Sequence, residues 1–359
     1  MQNATITMIY GDNPKEMTAK LLQSIDLSRM IPEKETRVIL KPNLVVPATA
    51  DSGATTHPEI VVAIIEYLQA HGLSNLLIAE SAWVGASTEE GFEANGYHAI
   101  SGTYRVPLLD VKHDAYQSVK SQGITMEISA TVLEPSFLIS LPVLKGHCQT
   151  RMTCALKNMK GCLSDRSKRM FHSLGLMKPI AALNAVRHAD LVIADGICGD
   201  LDFEEGGNPV KTGRMFAARD SVLCDAFGAS LLGFSPEDIP YIGLAEEYGV
   251  GSADLSRLDL VELNKPAKEI LARPSGAVVP LARHTCPKDA CSACYGNLIH
   301  ALKRMDEDGR SLPDGICIGQ GYRSVTDPYK TGIGSCTHGL GKSLPGCPPT
   351  AKAMVDFLS

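Results

Sequence analysis

Apolar, β-branched runs alternate with helical apolar stripes along most of the chain. Residues 36–40 read as a strand that stops at Lys41-Pro42-Asn43. Between residues 58 and 71, Ile60, Val61, Ile64, Ile65 and Leu68 recur on one helical face. Thr56 or His57 suits the cap of that helix, Pro58 its first turn and Gly72 its stop. Residues 76–79 predict the next strand, ending at Glu80-Ser81; residues 137–141 another, ending at Pro142; and residues 191–194 a fourth, ending at Asp195-Gly196. Residues 221–232 predict a helix capped by Asp220. Strands alternating with helices imply right-handed βαβ units, hence an α/β fold with a mostly parallel sheet flanked by helices. That domain is expected to span residues 1–270. Residues 264–280, with three prolines and little periodicity, read as a linker, and residues 281–359 as a small cysteine-rich α/β module.

In such sheets ligands bind beyond the carboxyl ends of the strands. Lys41, Asn43, Glu80, Ser81, Lys145, His147 and Asp195 fall at those ends. Strand ends are polar in any protein, so each residue alone says little. Charge adds contrast. The chain carries −6 at pH 7, which argues against nucleic acid as a partner. Residues 145–169 nevertheless hold seven Lys or Arg against one acid, Asp165. Such a run can be a solvated surface; concentrated at a strand end, it suits a small anionic substrate. A helix is expected from residue 150 to 160, with its N-terminus adding positive potential. The candidate catalytic set is Lys145, His147, Lys157, His172 and Asp195, with Lys41, Asn43, Glu80 and Asn158 as candidate substrate-binding groups. Histidine needs little tuning to move protons near neutral pH, whereas a lysine base needs its pKa lowered by roughly 3 units. The acids of residues 195–205 read as a solvated loop before a hard-cation site, apart from Asp195, which ends a strand.

Eleven cysteines change the picture further. The N-terminus shows no secretory pattern and no apolar run is long enough to span a bilayer, so a cytoplasmic protein without membrane contact is expected, its thiols reduced. Cys148, Cys154, Cys162, Cys198 and Cys224 are scattered, and Cys317 reads as core. The C-terminal pattern Cys286-x4-Cys291-x2-Cys294, followed by Cys336 and Gly346-Cys347-Pro348-Pro349, suits a metal centre. The expected ligands are Cys286, Cys291, Cys294 and Cys347, with Cys336 in reserve. A [4Fe–4S] cluster is the expected cofactor and structural zinc the alternative. The Gly-Cys-Pro-Pro string resembles the cluster-binding loop in small subunits of nickel–iron hydrogenases and respiratory complex I. Gly339-Leu340-Gly341-Lys342-Ser343 looks like the end of a P-loop, but Cys336 stands where the first glycine is required.

The strings KPNLV at 41–45, TTHPE at 55–59, LPVLKGHCQTRMTCALKNMKG at 141–161, DGI at 195–197, IGSCT at 333–337 and PGCPP at 345–349 resemble the domain-of-unknown-function 362 family. The resemblance implies a cytoplasmic iron–sulfur protein without a settled reaction. The spacing of His147, Lys157 and His172 is also similar to the lactate racemase family. There the lysine tethers a nickel-pincer nucleotide and histidines bind metal or move protons. This chain has Met152-Thr153-Cys154-Ala155-Leu156 where that family has a glycine-rich stretch. Three functions follow as expectations: a redox enzyme or electron-transfer protein acting on a small anion with a redox partner protein; a non-redox isomerase or lyase with a structural cluster; or a non-catalytic binding module.

Overall fold

The computed structural model describes residues 2–266, 268 and 273–359. The strands of the first sheet are β1 (Thr5–Tyr10), β2 (Val38–Pro42), β3 (Leu76–Glu80), β4 (Leu108–Asp110), β7 (Phe137–Leu141), β10 (Leu191–Asp200), β11 (Pro209–Ala218) and β12 (Asp259–Glu262). Two hairpins stand apart from it: β5 (Tyr116–Ser121) with β6 (Ile124–Ser129), and β8 (Lys145–His147) with β9 (Arg151–Thr153). The eight strands run in the order β12-β1-β11-β10-β7-β2-β3-β4. Among the described residues, only β11 is antiparallel to its neighbours. The mostly parallel α/β sheet is therefore as expected.

Both faces of this sheet are buried, which explains the continuous apolar runs. Ile39, Leu138, Val192 and Phe216 pack into one core. Their chain neighbours Leu40, Ile139, Ile193 and Met215 pack into the other. The period of two sends alternate residues to opposite faces. The helix Pro58–Ala70 covers the second face with Ile60, Val61, Ile64, Ile65 and Leu68, as its stripe predicts. Asp220 caps the helix Ser221–Leu231 by accepting from the Val222 and Leu223 N–H groups.

The C-terminal part forms a parallel sheet of β13 (Thr285–Pro287), β14 (Ile316–Ile318), β15 (Asp327–Ile333) and β16 (Leu340–Leu344). The helices Ser292–Glu307 and Ala351–Leu358 pack against each other beside it. Its core contains Tyr295, Leu298, Ile299, Ile316, Ile318 and Met354, and also Phe203, lent by the loop after β10. The 264–280 segment includes residues 267 and 269–272, which lie outside the described residues; its end opens the helix Val278–Ala282.

One helix expectation is corrected. Residues 151–153 form β9, paired with β8, and only Ala155–Asn158 is α-helical, followed by the 3-10 turn Met159–Cys162. The cause is Asp225. Its carboxylate accepts from the Ala155 N–H at 2.7 Å and the Leu156 N–H at 3.3 Å, so the helix begins there. The same contact fills the helix N-terminus where an external anion was expected. Asp225 is the third member of a buried group with Cys154 and Cys224, and burial pushes its carboxyl up to about 7.

Candidate active-site cleft and cysteine cavity

The carboxyl ends of β2 and β3 carry Lys41 and Glu80. These two form a buried ion pair. Asn158 holds the pair from above: its Oδ1 accepts from Lys41 Nζ at 3.4 Å and from Asn43 Nδ2 at 3.0 Å, and its Nδ2 donates to Ser140 Oγ at 2.9 Å. Gly161 is where a side chain is forbidden, because a Cβ there would run into both Glu80 and Lys41. Lys145 is fully buried and donates to Asn43 Oδ1 at 3.0 Å, to the Glu204 carbonyl at 2.8 Å and to the Ala54 carbonyl. Burial pushes its ammonium down to about 7.

Glu204 is the hub of a second buried group. It pairs with Lys157, and its Oε2 lies 3.0 Å from His147 Nε2. His147 Nδ1 accepts from the Gln149 and Thr150 N–H groups at 3.0 Å each, which places the ring proton on Nε2, toward the carboxylate. Burial, then the Lys157 charge, push His147 down to about 4, so the ring is neutral. Burial alone would raise Glu204; Lys157, His147 and Lys145 more than offset it and hold the carboxyl well below its ordinary range.

A small cleft of about 60 Å³ opens between these groups and the C-terminal module. Of the candidate residues, Asn43, Glu80, Lys157, Asn158 and His172 line it. Lys41, Lys145 and His147 lie beneath its floor, hydrogen-bonded to the lining residues or, for His147, facing Glu204. Asp195 is a correction. It is not among the lining residues; its Oδ2 accepts from the His57 N–H at 2.9 Å and faces His57 Nδ1 at 2.8 Å. Its Oδ1 accepts from the Ile197 N–H at 3.1 Å. Asp195 thus anchors the start of the helix Pro58–Ala70, because β10 continues past it as a paired strand rather than ending there. His57 shows the result: burial lowers it, but the Asp195 hydrogen bond and charge win and raise it.

Several lining residues were not singled out from the sequence. Lys160 and Lys168 belong to the basic run but carry no spacing signal. Burial, then the Lys157 charge, push Lys160 down to about 7; burial likewise lowers Lys168 to about 8. Lys168 donates to Ser81 Oγ and to the Ala82 carbonyl at 2.8 Å. Glu204 sits in the acidic run read as a solvated loop. Its neighbour Asp200 is likewise consumed internally, accepting from the Asp202, Phe203 and Asn208 N–H groups. Two buried polar atoms in the lining residues have no partner among the described residues: His172 Nδ1 and Thr153 Oγ1.

Cys291, Cys294, Cys336 and Cys347 line a second cavity, together with Arg169, Gln320, Arg323, Gly334 and Gly346. Cys291 caps the helix Ser292–Glu307, and Cys294 follows within its first turn. The other two cysteines come from loops that are hydrogen-bonded to each other. The Ser335 N–H donates to the Gly346 carbonyl at 2.9 Å and the Gly346 N–H to Ser335 Oγ at 3.0 Å. Gly334 (φ +93°) and Gly346 (φ +140°) take backbone conformations that a side chain would resist. Cys286 is corrected to outside this set. It lies in β13, in register with Cys317 of β14, exposed, with its carbonyl accepting from Tyr322 Oη. Strand pairing holds it away from the cavity, and Cys336, the reserve candidate, lines it instead.

The two sites share a wall. Cys291 lines both, and Gln320 Nε2 reaches its sulfur at 3.6 Å while donating to the Arg169 carbonyl at 3.0 Å. Gln149 ties the module down further: its Nε2 donates to the Ala290 carbonyl at 2.9 Å and its Oε1 accepts from Ser292 Oγ at 2.8 Å.

Residues 38–230 match the family model described as domain of unknown function (DUF362), which covers more than half of the chain, and the chain belongs to that family. A thylakoid-associated protein of Synechocystis sp. is 26% identical over 227 residues, 60% of this chain and 68% of that protein. Among solved structures, the lactate racemase apoprotein from Thermoanaerobacterium thermosaccharolyticum overlaps with a TM-score of 0.43 and 13% identity, covering 63% of this chain and 56% of that one. A protein from Thermotoga maritima overlaps with a TM-score of 0.36 and 15% identity, covering 52% of this chain and 51% of that one. The chain thus spans somewhat over half the length of these two structures. Among the described residues, no helix is long and apolar enough to cross a membrane.

Proposed function

We propose that the chain is a cytoplasmic iron–sulfur protein, an oxidoreductase or electron carrier, that acts on a small anion bound in the cleft and exchanges electrons with a redox partner protein. The observation that carries this reading is Cys291, which walls both the cysteine cavity and the lysine-lined cleft. The donor set suits a [4Fe–4S] cluster: four cysteines, two from one helical turn and two from distant loops. A single tetrahedral zinc would use the same four thiols, and metal analysis separates the two. Burial and the neighbouring thiols raise the Cys291 thiol to about 11 and push Cys294 up further, a crowding that a metal centre relieves.

A cluster held by Cys291, Cys294, Cys336 and Cys347 would supply electrons singly beside the cleft. The chain's own residues do the rest. Lys160 faces the cleft without a carboxylate partner among the described residues and holds the anion's charge. Asn158 and the Lys41–Glu80 pair fix the floor. His172, half-buried and held well below its ordinary pKa first by burial and then by Lys160, is a neutral ring whose enclosed Nδ1 has no partner among the described residues. Anaerobic purification followed by iron and sulfide analysis and visible absorbance tests the reading. Several irons with matching sulfide per chain is the expected result; a colourless, iron-free, zinc-loaded protein overturns it.

A second reading has its own support. Lys160 titrates near 7 and lines the cleft beside the neutral His172, so the cleft holds candidate acid–base groups for an isomerase or lyase with a structural cluster. Cys294→Ser separates the two: activity that survives loss of the metal favours the non-redox reaction.

A further inference from the structure

We propose that the cleft's ligand is a bent oxyanion of three heavy atoms, the size of formate or nitrite; this rests on the anion-cleft reading above and narrows it. Size carries the inference. The cleft holds about 60 Å³. An enclosed cavity of about 150 Å³ takes benzene, with its six heavy atoms, so on that scale about 60 Å³ takes roughly two or three. Acetate has four heavy atoms and phosphate five.

The walls resist widening, because the lining residues are tied to one another or to the sheet beneath them. Lys157 is paired with Glu204 and Glu80 with Lys41, all four nearly or fully buried. Lys168 donates to Ser81 Oγ, which in turn donates to the Gly161 carbonyl at 2.8 Å. Asn158 is fixed by Asn43 and Ser140. On the module's side, Ser292 Oγ donates to Gln149 Oε1 at 2.8 Å. Making room for a larger ligand would part buried ion pairs or strand polar groups away from water, and both are costly. Charge then selects among small molecules: Lys157, Lys160 and Lys168 all line the space, which favours an anion. Two lining residues each hold an enclosed polar atom without a partner among the described residues, Thr153 Oγ1 and His172 Nδ1. An anion with two oxygens and no further bulk meets the lysine charge and offers the Thr153 hydroxyl an acceptor.

The full-length, anaerobically purified protein is titrated by calorimetry with formate, nitrite, acetate and inorganic phosphate. The better of formate and nitrite is expected to bind at least roughly tenfold more tightly than acetate or phosphate, because a fourth heavy atom overfills the space. Which of the two binds more tightly identifies the central atom, carbon or nitrogen. Thr153→Val, which keeps the shape and removes the hydroxyl, should weaken both several-fold. Val84→Ala removes two carbons from the lining and should admit acetate, closing most of the gap, a gain that a misfolded variant cannot mimic. If acetate or phosphate binds the wild-type chain as tightly as the better of formate and nitrite, or if Val84→Ala leaves the gap unchanged, the size limit is overturned while the anion cleft stands. If none of the four anions binds, both fall together.

Discussion

In and beneath the cleft, lysines are locked in place before any ligand arrives. Lys41, Lys145 and Lys157 are each nearly or fully buried and tied to a carboxylate, an amide or backbone carbonyls. In the adjoining cysteine cavity the four thiols hang on loops and a helix end, Cys347 is exposed, and the local core is small. The first site draws its geometry from two large apolar cores on the faces of one sheet. The second draws it from turns and from whatever the thiols hold. Two kinds of preorganisation thus meet at Cys291, and they should fail in different ways.

The largest effect is expected on the cysteine side. Cys294→Ser, or removal of the proposed metal by a chelator, should cost the module roughly 5 kcal/mol or more. It should then unfold in a separate, earlier transition, seen by calorimetry, while the eight-stranded sheet keeps its own. Cys286→Ser should leave the metal content per chain unchanged. A loss as large as that of Cys336→Ser would return Cys286 to the ligand set.

Next comes the buried charge network. Lys157→Met strands Glu204 without its cation and should destabilise the main domain by about 3–5 kcal/mol in urea unfolding. Adding Glu204→Gln should recover much of that. Gly161→Ala pushes a methyl group into the Lys41–Glu80 pair and should cost about 1–3 kcal/mol and weaken anion binding.

The smallest effect sharpens the contact between the two regions. Glu205 lies 3.3 Å from His300 of the helix Ser292–Glu307. Burial, then the charges of Glu204 and Asp200, push its carboxyl up to about 8, while burial lowers His300 to about 4. Between pH 4.5 and 8 the folded chain therefore keeps a proton that the unfolded chain has lost, so this group's contribution falls as pH rises through that window. Glu205→Gln should remove that slope. The stability difference between wild type and variant should change by about 2 kcal/mol from about pH 5.5 to about pH 7.5, measured by denaturant unfolding.

Much of the architecture was legible because it is periodic. Alternate residues of β2, β7 and β10 go to opposite cores, and the stripe from Ile60 to Leu68 faces inward as its spacing requires. The site was legible only in part. Asn43, Glu80, Lys157, Asn158 and His172 were visible as polar residues at strand ends or in a basic run, and the structure brings them to one cleft. Glu204 was hidden in an acidic loop, since nothing local says that a loop carboxylate will be drawn between Lys157 and His147. Asp195 misled because β10 runs on to Asp200 instead of stopping there.

The sequence by itself determined the α/β class, the family and the gathering of most late cysteines in one place, because each rests on short-range pattern: periodicity, motif and spacing. Which side chains share a charge, which cysteine leaves the set and where the helix after β9 begins were decided only in three dimensions. Along the chain Cys286 reads as a ligand and Cys336 only as a reserve; the pairing of β13 with β14 and the loop at Cys336 reverse them at the cavity. Asp225 stands 70 residues from Ala155, the start of the helix it caps. Partners so distant meet only when the whole sheet has packed, and burial then gives each charge a meaning its neighbours in sequence do not carry.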